Sequence, residues 1–326
     1  MRFPTFSTAI LVILAVFLVL QWFPYTGILL MLVGGPIWSA VLINLFLIAL
    51  AIEVVVGRVS RLWLLLPIIF YGGYWIAATL DHLALHEIAS RYDAANDQVV
   101  TGFDPVRQAL VFEGGDSGAW LTQNFALPVA YTVNPNFPEG YLSNRMIEFT
   151  VCRKVGESRA ASAAFVHGFG FFDGDLIRGR RMEKRFCALS MPEKPKLPQV
   201  VVKRKETRDY EGTLPVRRQT TTITMPDGRQ FELFGGVAAP LSWIPMPIMG
   251  CVLDSGAPSW NCGVGFRRKG FTPIVSGNTR YNRDSIVLAK ALGLKPMAID
   301  DRVGGDSKFV LARVAEIERT TVKKDP

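Results

Sequence analysis

The sequence predicts a membrane α-helical anchor with three transmembrane helices, followed by an antiparallel β-rich extracytoplasmic domain with one or two short helices. The 326 residues include 36 Lys and Arg and 28 Asp and Glu, yet the first 80 positions hold only three arginines and one glutamate. Later positions form short β-favouring runs between Gly, Pro, Asn and Asp. These changes predict an anchor at 1–80, a helical stalk at 81–95 and a β-rich domain at 96–326. The proline-rich stretch 192–198 is a candidate boundary between two lobes of that domain.

The anchor is predicted from its lack of charge. No charged residue occurs between Phe3 and Ala51, and one bilayer crossing needs about 20 apolar residues. The apolar sequence therefore predicts three helices, near 6–23, 30–56 and 62–80. The turn between the first two has two candidate positions, an aromatic cluster at 21–27 and Gly-Gly-Pro at 34–36. We favour the first, with a kink at the second, because aromatic side chains are enriched at membrane interfaces.

The orientation of the anchor is predicted from its short loops. Arg58 and Arg61 lie between the second and third helices, and loops rich in Arg and Lys stay on the cytoplasmic side. The β-rich domain is then outside the cytoplasm. We therefore expect a multi-pass protein of the cell inner membrane with its C-terminal domain in the periplasm.

All four cysteines lie in the β-rich domain, and all are disulfide candidates: Cys152, Cys187, Cys251 and Cys262. None belongs to a C-x-x-C pair, which makes a zinc site a poor interpretation. An even number of cysteines in an oxidising compartment favours disulfides. Three pairings are open, and we prefer 152–187 and 251–262. The first pair would join two strand-like stretches, 146–155 and 184–191. Four buried free thiols are the alternative.

Within the β-rich domain the clearest predicted element is a hairpin. Residues 220–225 and 230–234 are β-favouring runs, and Pro-Asp-Gly-Arg at 226–229 is a turn sequence. A helix is predicted at 284–292, where a C-cap glycine follows. Residues 308–319 are ambiguous between helix and strand by pattern alone.

The longest uncharged run outside the anchor is 233–253. It is not predicted to be a fourth transmembrane helix, because three prolines would each remove a backbone donor and clash with the preceding turn. Two interpretations remain. The run is a core segment of the β-rich domain, or 241–247 is an exposed apolar loop that contacts a partner or the membrane surface. The candidate contact residues of that loop are Trp243, Ile244 and Met246.

His82 and His86 are the candidate metal ligands, because their i, i+4 spacing places both on one face of the predicted stalk. Such a pair can hold a metal or contribute a haem ligand, with His167 as a third histidine of unknown position. The alternative is a structural role at the membrane interface, with the rings on apolar surface. No other cofactor is predicted.

Basic clusters occur at 178–185, 203–205, 217–218 and 267–269. On a domain outside the cytoplasm they favour anionic membrane lipid or other envelope polyanions over nucleic acid, and solvated surface is the plainest interpretation. The Gly-Asp-Ser-Gly at 115–118 resembles the nucleophile motif of chymotrypsin-like serine proteases, but too few residues lie between the predicted stalk and Ser117 for the first barrel of that family. A glycine-rich turn is therefore the interpretation there.

No catalytic set is predicted from these residues. The first hypothesis is a non-catalytic integral membrane protein whose extracytoplasmic domain binds or scaffolds another envelope protein. The alternatives are an accessory subunit of a membrane transport or secretion complex, and a membrane-anchored metal or haem enzyme that uses His82 and His86.

Overall fold

The computed structural model describes residues 4–114, 117–137, 139–158, 166–167, 171–172, 182–183, 186–253, 260–274, 283–297 and 307–322. The chain divides into two compact units. Unit 1 comprises Met1–Ile88, Arg208–Arg217 and Val237–Ile274, and unit 2 comprises Ala89–Thr207, Arg218–Gly236 and Val275–Pro326.

The N-terminal region is helical, as predicted. Its elements are α1 (Phe6–Trp22), α2 (Pro24–Leu32), α3 (Gly35–Val55), a short 3-10 helix (Arg61–Leu64) and α4 (Leu65–Asp97). Two stretches are long and apolar enough to cross a membrane, Ile37–Val55 and Arg61–Asp97. Helices α1 and α2 are long and apolar enough only when taken together, and the pair is bent by 111°. The pair adds a third membrane span only if the two helices are counted as one.

The chain breaks at both candidate turns between the first two predicted helices. Pro24 is the first residue of α2 and has no backbone N–H, so it begins a helix more readily than it continues one. Gly34 has a φ of +83°, a left-handed conformation that glycine adopts without a Cβ clash. The predicted helix at 30–56 is therefore replaced by α3, which begins after this glycine.

The strands of unit 1 include a hairpin of its own. Its strands β11 (Pro247–Leu253) and β12 (Trp260–Phe266) are antiparallel, and β13 (Thr272–Pro273) is antiparallel to the last residues of β10 (Gln230–Ala238). The run 233–253 is thus divided between two strands and a loop and contains no helix.

Unit 2 contains most of a mixed sheet, and residues 208–211, 214–217 and 237–238 of that sheet belong to unit 1. The further strands of the sheet are β1 (Ala109–Glu113), β2 (Val129–Val133), β3 (Tyr141–Glu148), β4 (Val166–His167), β7 (Phe186–Pro192), β8 (Gln199–Glu211) and β9 (Leu214–Thr224). The strand order is β13-β10-β9-β8-β1-β2-β3-β7-β4. The two-residue strands β5 (Phe171–Phe172) and β6 (Met182–Glu183) pair only with each other among the described strands. The predicted hairpin at 220–234 is present as β9 and β10, with Gly228 at φ +87° in its turn.

The prediction of a purely antiparallel domain is wrong, because β1 is parallel to both β2 and β8. Parallel neighbours need a crossover connection, and helix α5 (Ser117–Asn124) lies between β1 and β2 in the chain. Residues 109–112 of β1 are all buried. A continuous apolar run of this kind is typical of a parallel strand that is covered on both faces.

Unit 2 has more helix than the one or two short helices predicted. Besides α5, its described part contains α6 (Phe149–Glu157), α7 (Arg283–Ala291) and α8 (Ser307–Val322). The helix predicted at 284–292 corresponds to α7, and the ambiguous stretch 308–319 lies in α8. The strand predicted at 146–155 is wrong beyond Glu148, where α6 follows. Its buried Val151 and Val155 are one helical turn apart, which is the period of a helix and not of a strand.

Both preferred cysteine pairs are present as disulfides in the structure. Cys152 of α6 bonds Cys187 of β7, with a Cα–Cα distance of 6.6 Å. Cys251 and Cys262 occupy directly opposed positions on β11 and β12, with a Cα–Cα distance of 4.0 Å. Two disulfides suggest an oxidising compartment outside the cytoplasm.

Candidate functional site

The candidate site lies in unit 1, where a non-helical segment packs along the apolar helices. We call residues 241–266 the docked hairpin. It consists of a loop at 241–246 and the strands β11 and β12, with 254–259 outside the described residues. The prolines of the loop exclude a helix, so its carbonyl groups need donors from elsewhere.

Helix α4 supplies two of those donors. The Tyr74 hydroxyl donates to the carbonyl oxygen of Ser242 at 2.6 Å, and the Trp75 indole Nε1 donates to that of Trp243 at 3.2 Å. The Tyr74 ring also contacts Phe266 of β12, with a centroid distance of 4.9 Å. The loop and the second strand are therefore both held on the same stretch of α4.

Helix α3 supplies further hydrogen-bond partners, to the loop and to β11. Asn44 Nδ2 donates to the carbonyl oxygen of Pro245 at 3.0 Å, and its own Oδ1 accepts from the Tyr71 hydroxyl at 2.9 Å. Ser39 Oγ accepts from the backbone N–H of Met249 at 3.2 Å. These side chains are polar residues in otherwise apolar helices, and each bonds the backbone of the docked hairpin or supports a residue that does.

Helix α1 also bonds β11. The fully buried Gln21 donates from Nε2 to the carbonyl oxygen of Met249 at 2.8 Å. Three helices therefore contribute to the docking of one β-hairpin. Irregular backbone at membrane depth requires this kind of support, because lipid offers no hydrogen bonds.

Asp81 fixes both ends of the docked hairpin. Its side chain is fully buried and accepts from the backbone N–H of Leu241 at 3.1 Å and from Arg268 Nη1 at 2.7 Å. It also accepts from the Thr213 hydroxyl at 2.5 Å. Arg268 Nη2 donates in turn to the Thr213 carbonyl oxygen at 3.0 Å. One carboxylate thus bonds three segments: the start of the hairpin, the chain just beyond its end and the β8–β9 turn.

In a membrane-spanning α4, the position along the helix would give the depth of these contacts. At about 1.5 Å per residue, Tyr74 lies roughly 20 Å and Asp81 roughly 30 Å along the helix from Arg61. A hydrocarbon core is about 30 Å thick. In a crossing that begins near Arg61, the Tyr74 contacts fall inside the hydrocarbon and the Asp81 contacts fall at its far boundary.

The candidate ligand His82 lies against the loop. Its Nε2 atom is 3.1 Å from the Leu241 carbonyl oxygen, and its ring stacks on Trp243 with a centroid distance of 4.5 Å. His86 is exposed one turn later, and the side chain of His167 lies outside the described residues. No group of three or more His, Cys, Asp or Glu side chains suited to a metal occurs in the described part of the chain. Metal or haem binding at His82 and His86 stays a prediction.

The candidate contact residues differ in exposure. Trp243 is 58% and Ile244 71% exposed, whereas Met246 is half-buried. Val264 of β12 is 78% exposed. The loop therefore combines a hydrogen-bonded backbone with exposed apolar side chains, and β12 adds one more exposed apolar side chain.

The outer edge of β12 is open. Apart from β11, no strand of the described residues pairs with it. A Cβ atom added at Gly263 or Gly265 would meet nothing within 4 Å. At residues 263–265 the strand thus presents an edge that no other described strand covers and a surface with little side-chain bulk.

Neither a protein-family model, nor a curated protein, nor a solved structure matches this chain. What can be inferred about function therefore comes from the residues of the docked hairpin. The central residue, Asp81, is not among the candidates that the sequence predicts. Isolated polar residues within apolar helices, such as Gln21 and Ser39, were the available signal for a docked backbone segment.

Proposed function

We propose that this chain is a non-catalytic integral membrane protein that binds another envelope protein along the open edge of β12. The observation that carries the proposal is a strand edge that no other strand of the described residues covers. It lies next to Tyr74, about 20 Å along a helix that is long and apolar enough to cross a membrane. Each backbone group left without a partner in hydrocarbon costs several kcal/mol, so open sheet edges do not occur there facing lipid.

The surface around this edge suits a protein partner. Gly263 and Gly265 allow another backbone to approach closely. Val264 between them and Ile244 of the loop have exposed apolar side chains. Strand addition would supply hydrogen bonds to the edge, while the apolar side chains would be covered in the same contact. A lipid tail can cover the side chains but cannot bond the backbone.

The compartment is part of the same proposal. Arg58 and Arg61 on the short loop favour a cytoplasmic position for that loop, and the disulfides favour an oxidising compartment for the domain. We infer a multi-pass protein of the inner membrane with its C-terminal domain in the periplasm.

A reporter fused after Pro326 tests this topology. Alkaline phosphatase needs disulfides to be active, so it is expected to be active in this fusion, whereas green fluorescent protein exported by the general secretory route is expected to stay dark. Fusions after Ser60, in the loop between α3 and α4, are the control and should give the reverse pattern. Bright fluorescence from the Pro326 fusion in intact cells would contradict the proposed orientation.

Site-specific photocrosslinking tests the partner. Benzoylphenylalanine placed at Val264 is expected to yield a protein adduct of defined mass in intact membranes, because the proposed partner covers this residue. Val106 is the matched control, since it is a valine of equal exposure, 78%, in unit 2. Irradiation there should give no such adduct.

The mass and sequence of the adduct also separate the alternatives. A subunit of a transport or secretion complex would identify the chain as an accessory subunit of that complex. Adducts to lipid alone at Val264, or the same protein adduct at both positions, would disprove the proposed docking edge.

A further inference from the structure

A groove of about 320 Å³ lies in unit 1 beside the turn between β8 and β9. It is lined by residues 208–210, 215–217, 237–239 and Phe271. No part of it belongs to the docked hairpin or to the open edge of β12. Its size is that of a small-molecule site.

The walls of the groove combine basic and aromatic side chains. Arg208 and Arg217 line it together with Asp209, whose carboxylate accepts the backbone N–H of Tyr210 at 2.8 Å. The guanidinium of Arg217 lies 5.2 Å from the centroid of the Phe271 ring. Arginine beside an aromatic face is well suited to a phosphate group, because its planar fork of donors stays oriented.

The neighbouring loop adds positive charge. Arg267 and Lys269 are exposed, and their backbone N–H groups donate to the carbonyl oxygens of Met246 and Pro240 at 2.8 and 2.7 Å. Arg268 between them is bound to Asp81. The loop is therefore fixed at its backbone, and the side chains of its two outer cations are exposed.

The position of the groove along α4, and so relative to a membrane, follows from its connection to Asp81. The β8–β9 turn and the 267–269 loop are both tied to this residue, which lies about 30 Å along the helix from Arg61. A membrane-spanning α4 would place that level where hydrocarbon ends and headgroups begin. Tyr210 and Phe271 are 68% and 72% exposed there, and aromatic side chains are enriched at this boundary.

We propose that the groove binds the headgroup of an anionic phospholipid in the adjoining leaflet. The phosphate would lie between Arg208 and Arg217, with the aromatic side chains at the glycerol level. The proposal needs α4 to cross a membrane, but it needs no protein partner at β12. A negative crosslinking result at Val264 would therefore not contradict lipid binding in the groove. A negative lipid-binding result would likewise not contradict the proposed protein partner.

Native mass spectrometry of the full chain in dodecyl maltoside tests the site. The protein is equilibrated with equimolar phosphatidylglycerol and phosphatidylcholine, and the ratio of the two lipids retained is measured. Arg208→Gln with Arg217→Gln is expected to lower the preference for phosphatidylglycerol by roughly 30-fold, because each arginine near anionic lipid contributes about 5-fold. Arg208→Lys with Arg217→Lys should keep most of the preference, which guards against a variant that has merely failed to fold.

The matched control is Arg107→Gln with Arg153→Gln. These arginines are 86% and 70% exposed at their side chains and each faces one surface carboxylate in unit 2. They should not change the lipid ratio. An equal loss in this control, or no loss in the groove variant, would overturn the site. Displacement of phosphatidylglycerol by inorganic phosphate at equal concentration would show that the groove takes free phosphate, and would overturn the assignment to lipid.

Discussion

Asp81→Ala is expected to lower the free energy of unfolding by about 3–5 kcal/mol, the usual effect of breaking a buried ion pair by removing one partner. The change leaves Arg268 without its carboxylate and removes the acceptor of the Leu241 N–H and the Thr213 hydroxyl. Because this carboxylate fixes both ends of the docked hairpin, the hairpin should also become accessible to protease. Thermal unfolding and limited proteolysis of the full chain in detergent micelles measure the two effects.

Asp97→Ala is the control for that experiment. Asp97 is at the end of the same helix and pairs with Lys290 at 2.7 Å, but both side chains are more than half exposed. An exposed pair contributes about 0–1 kcal/mol. If both variants lose the same stability, or if Asp81→Ala leaves the proteolysis pattern unchanged, Asp81 does not hold the hairpin.

Reduction of the Cys152–Cys187 disulfide is expected to cost about 4 kcal/mol. The two cysteines are 35 residues apart, and the chain-entropy model gives this value for a loop of that length at about 25 °C. The Cys251–Cys262 loop, with a separation of 11 residues, should contribute about 3 kcal/mol on the same basis. The measurement is the unfolding midpoint of the full chain in detergent with and without dithiothreitol.

Cysteine variants separate the two bridges. A variant with Cys251→Ala and Cys262→Ala keeps only the longer loop and should retain the larger part of the shift caused by dithiothreitol. A variant with Cys152→Ala and Cys187→Ala should retain the smaller part. A variant without cysteines should show no shift, and a midpoint of the wild-type chain that is insensitive to reductant would argue against stabilisation by either disulfide.

The sequence by itself determined the local elements. Uninterrupted apolar composition made α3 and α4 candidates for membrane spans, because their length and hydropathy need no knowledge of neighbours. The Pro-Asp-Gly-Arg turn at 226–229 specified the β9–β10 hairpin, since its backbone conformation depends on those residues alone. The cysteine pairing was only partly accessible, because four cysteines leave three pairings open, and the preferred one is present in the structure.

Strand direction was only partly accessible. The alternation of apolar and polar residues along a strand does not indicate which strands will be its neighbours or in which direction they run. The parallel pairing of β1 with β2 depends on the crossover through α5. The unbroken apolar run at 109–112 was the one local sign of a strand covered on both faces. The predicted disulfide between Cys152 and Cys187 is present, but the strand predicted around Cys152 is the helix α6. A cysteine can reach its partner from a helix as well as from a strand.

Only the tertiary structure decided the position of 241–266. The prolines established that this segment is not a helix, but they do not specify what its carbonyl groups bond. Those bonds come from Tyr74, Asn44 and Gln21, which are more than 150 residues away in the chain. Asp81 likewise bonds residues from three distant segments. Such contacts exist only after the helices and the hairpin have packed, because each donor or acceptor is one of many that the unfolded chain could have used.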